Sequence, residues 1–172
     1  RASDTGRAFL DRHPELSDKI ESWFDSAEMK FGGWDNVRVC DLDESSIGHL
    51  FYLNQNTVVK SFEPYVNPET GEKVDGENFV ECLVRMREVL EKINARFDAD
   101  AEKRPLVLMY GHSMAGAALS INVGIGKTVD GSSHLGFDGK YIMPNATPVF
   151  LHREGEGDAD SGSSFFDSCT VQ

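Results

Sequence analysis

The sequence is poor in cysteine, in positive charge and in long apolar runs. Its three cysteines, Cys40, Cys82 and Cys169, lie far apart along the chain, so they suggest neither a disulfide framework nor a zinc site. This usage favours a reducing compartment such as the cytoplasm. No apolar stretch approaches the roughly 20 residues that a membrane-spanning helix needs, and the formal net charge of −12 argues against a membrane-surface partner, so we expect no membrane partner.

The shortage of positive charge excludes a second class of partner. The 172 residues include 17 lysines and arginines against 29 aspartates and glutamates, which gives a formal net charge of −12. A protein that binds the nucleic-acid backbone needs a basic surface to displace counterions, so we expect no nucleic-acid partner. A small anionic substrate would instead need a few locally placed arginines. The length and the 40% hydrophobic content suffice for one folded domain.

The most informative part of the sequence lies between residues 76 and 124. A helix is predicted at Phe79–Phe97, because apolar residues recur there every three or four positions. Leu106–Tyr110 is a continuous apolar run, typical of a strand that is buried on both faces of a parallel sheet. A small-residue segment of helical composition follows at Ala115–Val123. The order predicts a helix, a strand, a turn and a second helix.

His112 stands where the predicted strand meets the second helix. Backbone N–H groups at a helix N-terminus have no partner within the helix, and the positive end of the helix dipole lies there. Such a place binds anions, so the sequence favours phosphate chemistry. From spacing alone, a capping or packing role for this histidine stays open.

The remainder of the chain has weaker patterns. A short helix is predicted at Gly6–Arg12, and a turn-rich insertion or lid at about residues 37–75. A strand is predicted at Thr147–Leu151. Residues 153–172 are acidic and rich in glycine and serine, as in a tail or a linker to a last strand. We therefore expect one domain over residues 1–152.

Five motifs follow one another along the chain. They are Arg1-Ala2-x-x-Thr5, then Glu28-x-x-Phe31-Gly32-x-Trp34, then Gly76-Glu77-x-Phe79 opening a helix that contains Arg85, then the apolar strand, then Gly111-His112 before a small-residue helix. In this order they resemble the histidine phosphatase superfamily, in its phosphoglycerate mutase-like branch. The resemblance implies an α/β fold, a three-layer α/β/α sandwich with a mostly parallel sheet. It also implies hydrolysis of a small phosphomonoester through a phosphohistidine, without a metal or an organic cofactor.

The resemblance further implies roles for four residues. Arg1 would bind the phosphate through its planar guanidinium. Glu28 would be the general acid that protonates the leaving oxygen, and it must hold a proton near neutral pH, which burial or the charge of the phosphate favours. His112 would donate hydrogen bonds to the transferring phosphoryl group. Ser113 replaces the glycine that is usual at this position. Its amide would still face the phosphate, but its side chain would narrow the pocket.

One motif of the family is not found in these residues. The family's nucleophilic histidine follows an apolar strand in an Arg-His-Gly motif, whereas the Arg12-His13 pair follows a helix-like segment and precedes Pro14. We therefore expect the nucleophile to lie outside this sequence and the 172 residues alone to be inactive. Hydrolysis is expected, and a mutase activity stays open.

Two other functions are open on the sequence. Residues 111–115, Gly-His-Ser-Met-Ala, are similar to the Gly-x-Ser-x-Gly nucleophile elbow of α/β-hydrolases, in which Ser113 would be an esterase nucleophile. Ala115 departs from that pattern. Candidates for the acid and histidine of a triad are Asp130 with His134 and Asp138 with His152. The other alternative is a non-catalytic module that binds phosphorylated ligands.

Overall fold

The computed structural model describes residues 1–42, 60–97, 106–123, 151–153 and 169–171. Its α-helices are α1 (Ala2–Leu10), α2 (Phe79–Phe97) and α3 (Ser113–Asn122). Short 3₁₀ segments lie at Pro14–Lys19, Phe24–Ser26, Gly32–Trp34 and Val39–Asp41. The described residues include two antiparallel strand pairs, β1 (Tyr65–Val66) with β2 (Lys73–Val74) and β3 (Leu151–Arg153) with β4 (Cys169–Val171).

Helix α2 covers the 19 residues that the apolar period predicts. It begins in a capping box, in which Asn78 Oδ1 accepts the N–H of Glu81 at 2.9 Å and Glu81 Oε2 accepts the N–H of Asn78 at 2.8 Å. Its buried face consists of Phe79, Cys82, Leu83, Met86, Val89 and Leu90. The prediction for this helix is confirmed.

Helix α3 is buried over residues 114–120 on all its sides. A helix that is apolar all round is expected in the interior of a protein, and the full burial of Ala117 and Ala118 fits that rule. Residues of α2 and α3, together with Met29 and Val123, form the hydrophobic core. Asn122 Nδ2 donates to the carbonyl of Leu83 at 2.9 Å, which ties the two helices together near the end of α3.

Helix α1 begins four residues earlier than predicted and ends at Leu10. Its Gly6 is buried against the ring of Tyr110, since a Cβ placed there would lie 3.4 Å from Tyr110 Cδ2. The ring of Phe9 lies near the same tyrosine, with 6.5 Å between ring centroids. Helix α1 therefore packs against the residues that lead into α3.

The predicted strand at residues 106–110 differs from the structure. No strand is assigned there, and within the described part of the chain no strand pairs with these residues. Leu106 is 81% exposed and Leu108 is 54% exposed, so the run is not buried on both faces. An apolar run becomes a strand only when a neighbouring backbone supplies the hydrogen-bonded ladder, and the described strands pair with each other elsewhere.

The described residues cover the other predicted segments in part. Within the predicted insertion at 37–75, β1 and β2 form a hairpin, and the N–H of Gly33 donates to the carbonyl of Glu63. The strand expected at 147–151 is described at its last residue, Leu151, where β3 begins and pairs with β4 in the C-terminal segment. None of the described helices is long and apolar enough to cross a membrane.

Candidate functional site

Glu28 lies in an irregular segment between two 3₁₀ turns, and its carboxylate reaches the start of α3. Glu28 Oε1 accepts the N–H of Met29 at 2.7 Å and the N–H of Ala115 at 2.9 Å. Glu28 Oε2 accepts the N–H of Met114 at 3.3 Å. A side chain from another part of the chain thus binds two of the first amides of the helix.

His112 is the N-cap residue of α3, with an extended backbone (φ −122°, ψ 170°). Its carbonyl accepts the N–H of Gly116 at 2.8 Å, but its side chain makes no capping hydrogen bond. Glu28 supplies the cap instead, and a carboxylate there suits the positive end of the helix dipole. The structure therefore brings the Glu28 carboxylate and the backbone of His112 to the same helix end.

Asp35 adds negative charge near Glu28. Burial raises the pKa of the Asp35 carboxyl above its usual value, and the charge of Glu28 raises it further, while hydrogen bonds from the backbone of Phe31 and Gly32 oppose the shift. Nothing in the sequence indicated this raised pKa, because the residues around Asp35 have the pattern of an ordinary loop.

Arg85 and Glu77 form an ion pair behind the segment that contains Glu28. The two side chains are 13% and 10% exposed. Burial by itself would lower the pKa of the Arg85 guanidinium, but the Glu77 carboxylate more than offsets this, so the pKa is raised. Glu77 does not cap α2, because Asn78 and Glu81 form that cap.

Arg1 and Ser113 are the two residues predicted to bind the phosphate. The Arg1 side chain is 92% exposed, and its terminal amino group lies 3.5 Å from Asp4 Oδ2. Ser113 is the first residue of α3, so its amide lies at the same helix end as those of Met114 and Ala115. The phosphate-binding roles of both residues stay predictions.

The alternative catalytic histidine, His13, makes local contacts. Its ring stacks on Phe9 with 4.5 Å between centroids, and its Nδ1 lies 3.2 Å from Glu15 Oε1. It follows α1 rather than a strand. The residues suggested for a serine triad, Asp130, His134 and Asp138, lie outside the described residues, and His152 lies in β3.

Metal-binding side chains and thiols are the remaining candidates for chemistry in the described residues. Within residues 1–42, 60–97, 106–123 and the two C-terminal strands, no group of three His, Cys, Asp or Glu side chains could hold a metal ion. Cys82 is fully buried on α2. Burial raises the pKa of its thiol to about 12, with a further contribution from the Glu77 charge.

A comparison with curated proteins finds a relative of this chain. Over 166 residues the chain is 43% identical to mannitol-1-phosphatase from Eimeria tenella. The match covers 88% of this chain and 53% of that protein, so the chain spans about half the length of this curated relative. By its name, the relative is a phosphatase. No protein-family model matches the chain, and no solved structure does.

Proposed function

We propose that this protein is a phosphatase that hydrolyses small phosphomonoesters. The observation that carries the proposal is the convergence of Glu28 and His112 at the N-terminus of α3. That helix end offers amides, an imidazole and a carboxyl group to one tetrahedral anion. The 43% identity to a protein named mannitol-1-phosphatase supports the same class of reaction.

The position of Glu28 supports a role as proton donor. Its carboxylate accepts helix amides in the structure, and a phosphate dianion that approaches the same amides would repel it. Repulsion between like charges favours the protonated form of a carboxyl group. Protonated Glu28 can donate to the ester oxygen as the bond to phosphorus breaks. His112 would donate a hydrogen bond to a phosphoryl oxygen and stabilise its charge.

The finer part of the proposal is a phosphohistidine intermediate. A histidine nitrogen forms a bond to phosphorus, the P–O ester bond breaks, and Glu28 gives its proton to the leaving alkoxide. Water then attacks phosphorus, the P–N bond breaks, and the Glu28 carboxylate takes the proton of the water. The nucleophile would be a histidine outside this sequence. If a second hydroxyl compound replaced water, the same chemistry would be that of a mutase.

The proposal includes an α/β/α sandwich for the natural full-length protein. The exposed apolar run that begins at Leu106 and leads to His112 supports it. In such a fold this run would be a strand of the parallel sheet, and His112 would lie at the carboxyl edge of the sheet, where ligands bind in open α/β folds.

Hydrolysis of mannitol 1-phosphate tests the proposal, because the relative's name supports a sugar-alcohol phosphate as the first substrate to try. The natural full-length protein should release inorganic phosphate from this or another phosphomonoester, and vanadate should inhibit it. Rapid quenching during turnover should trap an acid-labile, base-stable phosphoprotein. Tight binding of phosphate esters without turnover would support the binding module instead, and labelling of Ser113 by a fluorophosphonate would support the esterase.

A further inference from the structure

Arg85 uses all five of its N–H donors on one short segment and on Glu77. Its Nη1 donates to the carbonyls of Asp25 at 2.7 Å and Ala27 at 2.9 Å. Its Nη2 donates to the carbonyl of Glu28 at 3.3 Å and to Glu77 Oε1. Its Nε donates to Glu77 Oε2 at 3.1 Å. An arginine has five such donors in a fixed planar fork, so this guanidinium is fully engaged.

Glu77 holds the same segment from its other side. Its Oε1 accepts the N–H of Lys30 at 3.0 Å, and its own N–H donates to the carbonyl of Lys30 at 2.8 Å. The backbone of residues 25–30 is thus fixed on both sides of Glu28, by Arg85 before it and by Glu77 after it. With the backbone held in this way, the Glu28 carboxylate accepts the N–H groups of Met114 and Ala115 at the start of α3.

The Arg85–Glu77 ion pair is better explained by the position it gives to the segment around Glu28 than by a gain in stability. Removing two charges from water is costly, and apolar residues of similar size often stabilise a fold as well as a buried ion pair does. The segment around Glu28 contains only a short 3₁₀ turn and has no strand partner in the described structure. No ladder of backbone hydrogen bonds therefore fixes its path there. A planar fork that binds three carbonyls gives it a defined path.

We propose that Arg85, held by Glu77, is a positioning residue for Glu28 in the phosphatase reaction. This inference rests on the function proposed above, and it assigns to Arg85 no contact with substrate. A displacement of about 1 Å at a reacting group can lower a rate on the order of 10²-fold. Replacement of Arg85 should therefore impair proton donation by Glu28 and leave steps that need no proton almost unchanged.

The dependence on the leaving group provides the test. An alkyl phosphate such as mannitol 1-phosphate needs a proton on its leaving oxygen, whereas p-nitrophenyl phosphate has a leaving group stable as an anion. In the natural full-length protein, Arg85→Lys should lower kcat/KM, which reports formation of the phosphohistidine, at least about tenfold for mannitol 1-phosphate and less than about threefold for p-nitrophenyl phosphate. The later hydrolysis of the phosphohistidine, in which Glu28 acts as the base, is common to both substrates and does not enter this comparison. The matched control is Arg87→Lys on the same helix, where Arg87 pairs with Glu91 at the surface.

A double-mutant cycle completes the test. If Arg85 acts through Glu28, Arg85→Lys should add less than about a twofold loss in a Glu28→Gln background. Equal losses for the two substrates, or losses that multiply in the double variant, would overturn the inference and leave the proposed function standing. If the unaltered protein hydrolyses neither phosphate, the proposed function itself has failed. Glu77→Gln, which keeps an oxygen acceptor, serves as the second variant if thermal unfolding shows Arg85→Lys to be unfolded.

Discussion

The carboxylate of Glu28 accepts the backbone N–H of Ala115 at 2.9 Å, across 87 positions of sequence. No sequence pattern around either residue predicts this contact. The contact joins the irregular segment before residue 30 to the helix that follows His112. It brings the charge of Glu28 to the first amides of α3, the helix whose N-cap residue is His112.

Gly32 is required by its backbone and by its surroundings. It has a φ of +58°, and a Cβ there would lie 2.7 Å from Gly76 N and 2.8 Å from the carbonyl oxygen of Glu63. Gly32→Ala should therefore lower the free energy of unfolding by about 2 to 5 kcal/mol, since left-handed strain and overpacking add. Urea denaturation measures this.

Gly71 offers the control for that prediction. Its φ is +71°, but a Cβ would have no atom within 4 Å. Gly71→Ala should cost about 1 to 2 kcal/mol, from the left-handed backbone alone. Equal losses for the two variants would show that close packing at Gly32 contributes nothing.

The start of α2 depends on the reciprocal bonds between Asn78 and Glu81. Asn78→Ala should lower the free energy of unfolding by about 1 kcal/mol, because the N–H of Glu81 loses its acceptor. Asn78→Ser should recover most of this loss, since serine caps helices about as well. If thermal denaturation shows the two variants to be equal, the cap is not what fixes this helix end.

Asp35 should make stability depend on pH with an unusual sign. Because its pKa is raised in the folded protein, the native state binds more protons than the unfolded state, and stability falls as pH rises through this window. Asp35→Asn removes that loss. Its gain in stability over the natural protein should be small near pH about 3 and should grow to a plateau by neutral pH.

Asp25 should make stability depend on pH with the opposite sign to Asp35. Its hydrogen bond from the Lys92 ammonium, together with the lysine's charge, lowers the pKa of Asp25. The stability from this pair is present above the unfolded pKa and is lost as pH falls through the folded one. Asp25→Asn should therefore lose stability relative to the natural protein as pH rises. If both variants changed in the same direction in urea titrations at several pH values, the assignment for Asp35 would be wrong.

His112 should matter to turnover and not to folding. Its side chain makes no capping hydrogen bond, so His112→Ala should change the free energy of unfolding by less than about 0.5 kcal/mol. Loss of the hydrogen bond that we propose it donates to the phosphoryl group should lower kcat on the order of 10²-fold in the natural full-length protein. A variant that lost stability and activity in parallel would indicate a packing role instead.

The sequence was informative where local pattern decides structure. The period of Phe79, Met86 and Leu90 predicted α2, and the small residues after His112 predicted α3. The exposure of the apolar run at Leu106 could not be predicted from its sequence. A strand forms only beside a neighbouring strand, and the run itself does not specify that neighbour. The contact of Glu28 with α3 could not be predicted from local pattern, since a contact across this much sequence leaves no periodic signal.

The role of Arg85 could not be read in advance. Three of its partners are backbone carbonyls, at Asp25, Ala27 and Glu28, and carbonyls are the same for every residue type. The capping box was detectable, because asparagine followed three residues later by glutamate is a known helix start.

The most direct test of the account is the turnover of mannitol 1-phosphate by the natural full-length protein and by its Glu28→Gln variant. Glutamine keeps an oxygen that can accept the amides of α3 but has no carboxyl proton to give. We predict that kcat falls on the order of 10²-fold or more, while Glu91→Gln, an exposed change on α2, leaves it unaltered. A Glu28→Gln variant that hydrolyses the ester within a factor of about two of the natural rate would contradict the assignment of the proton donor.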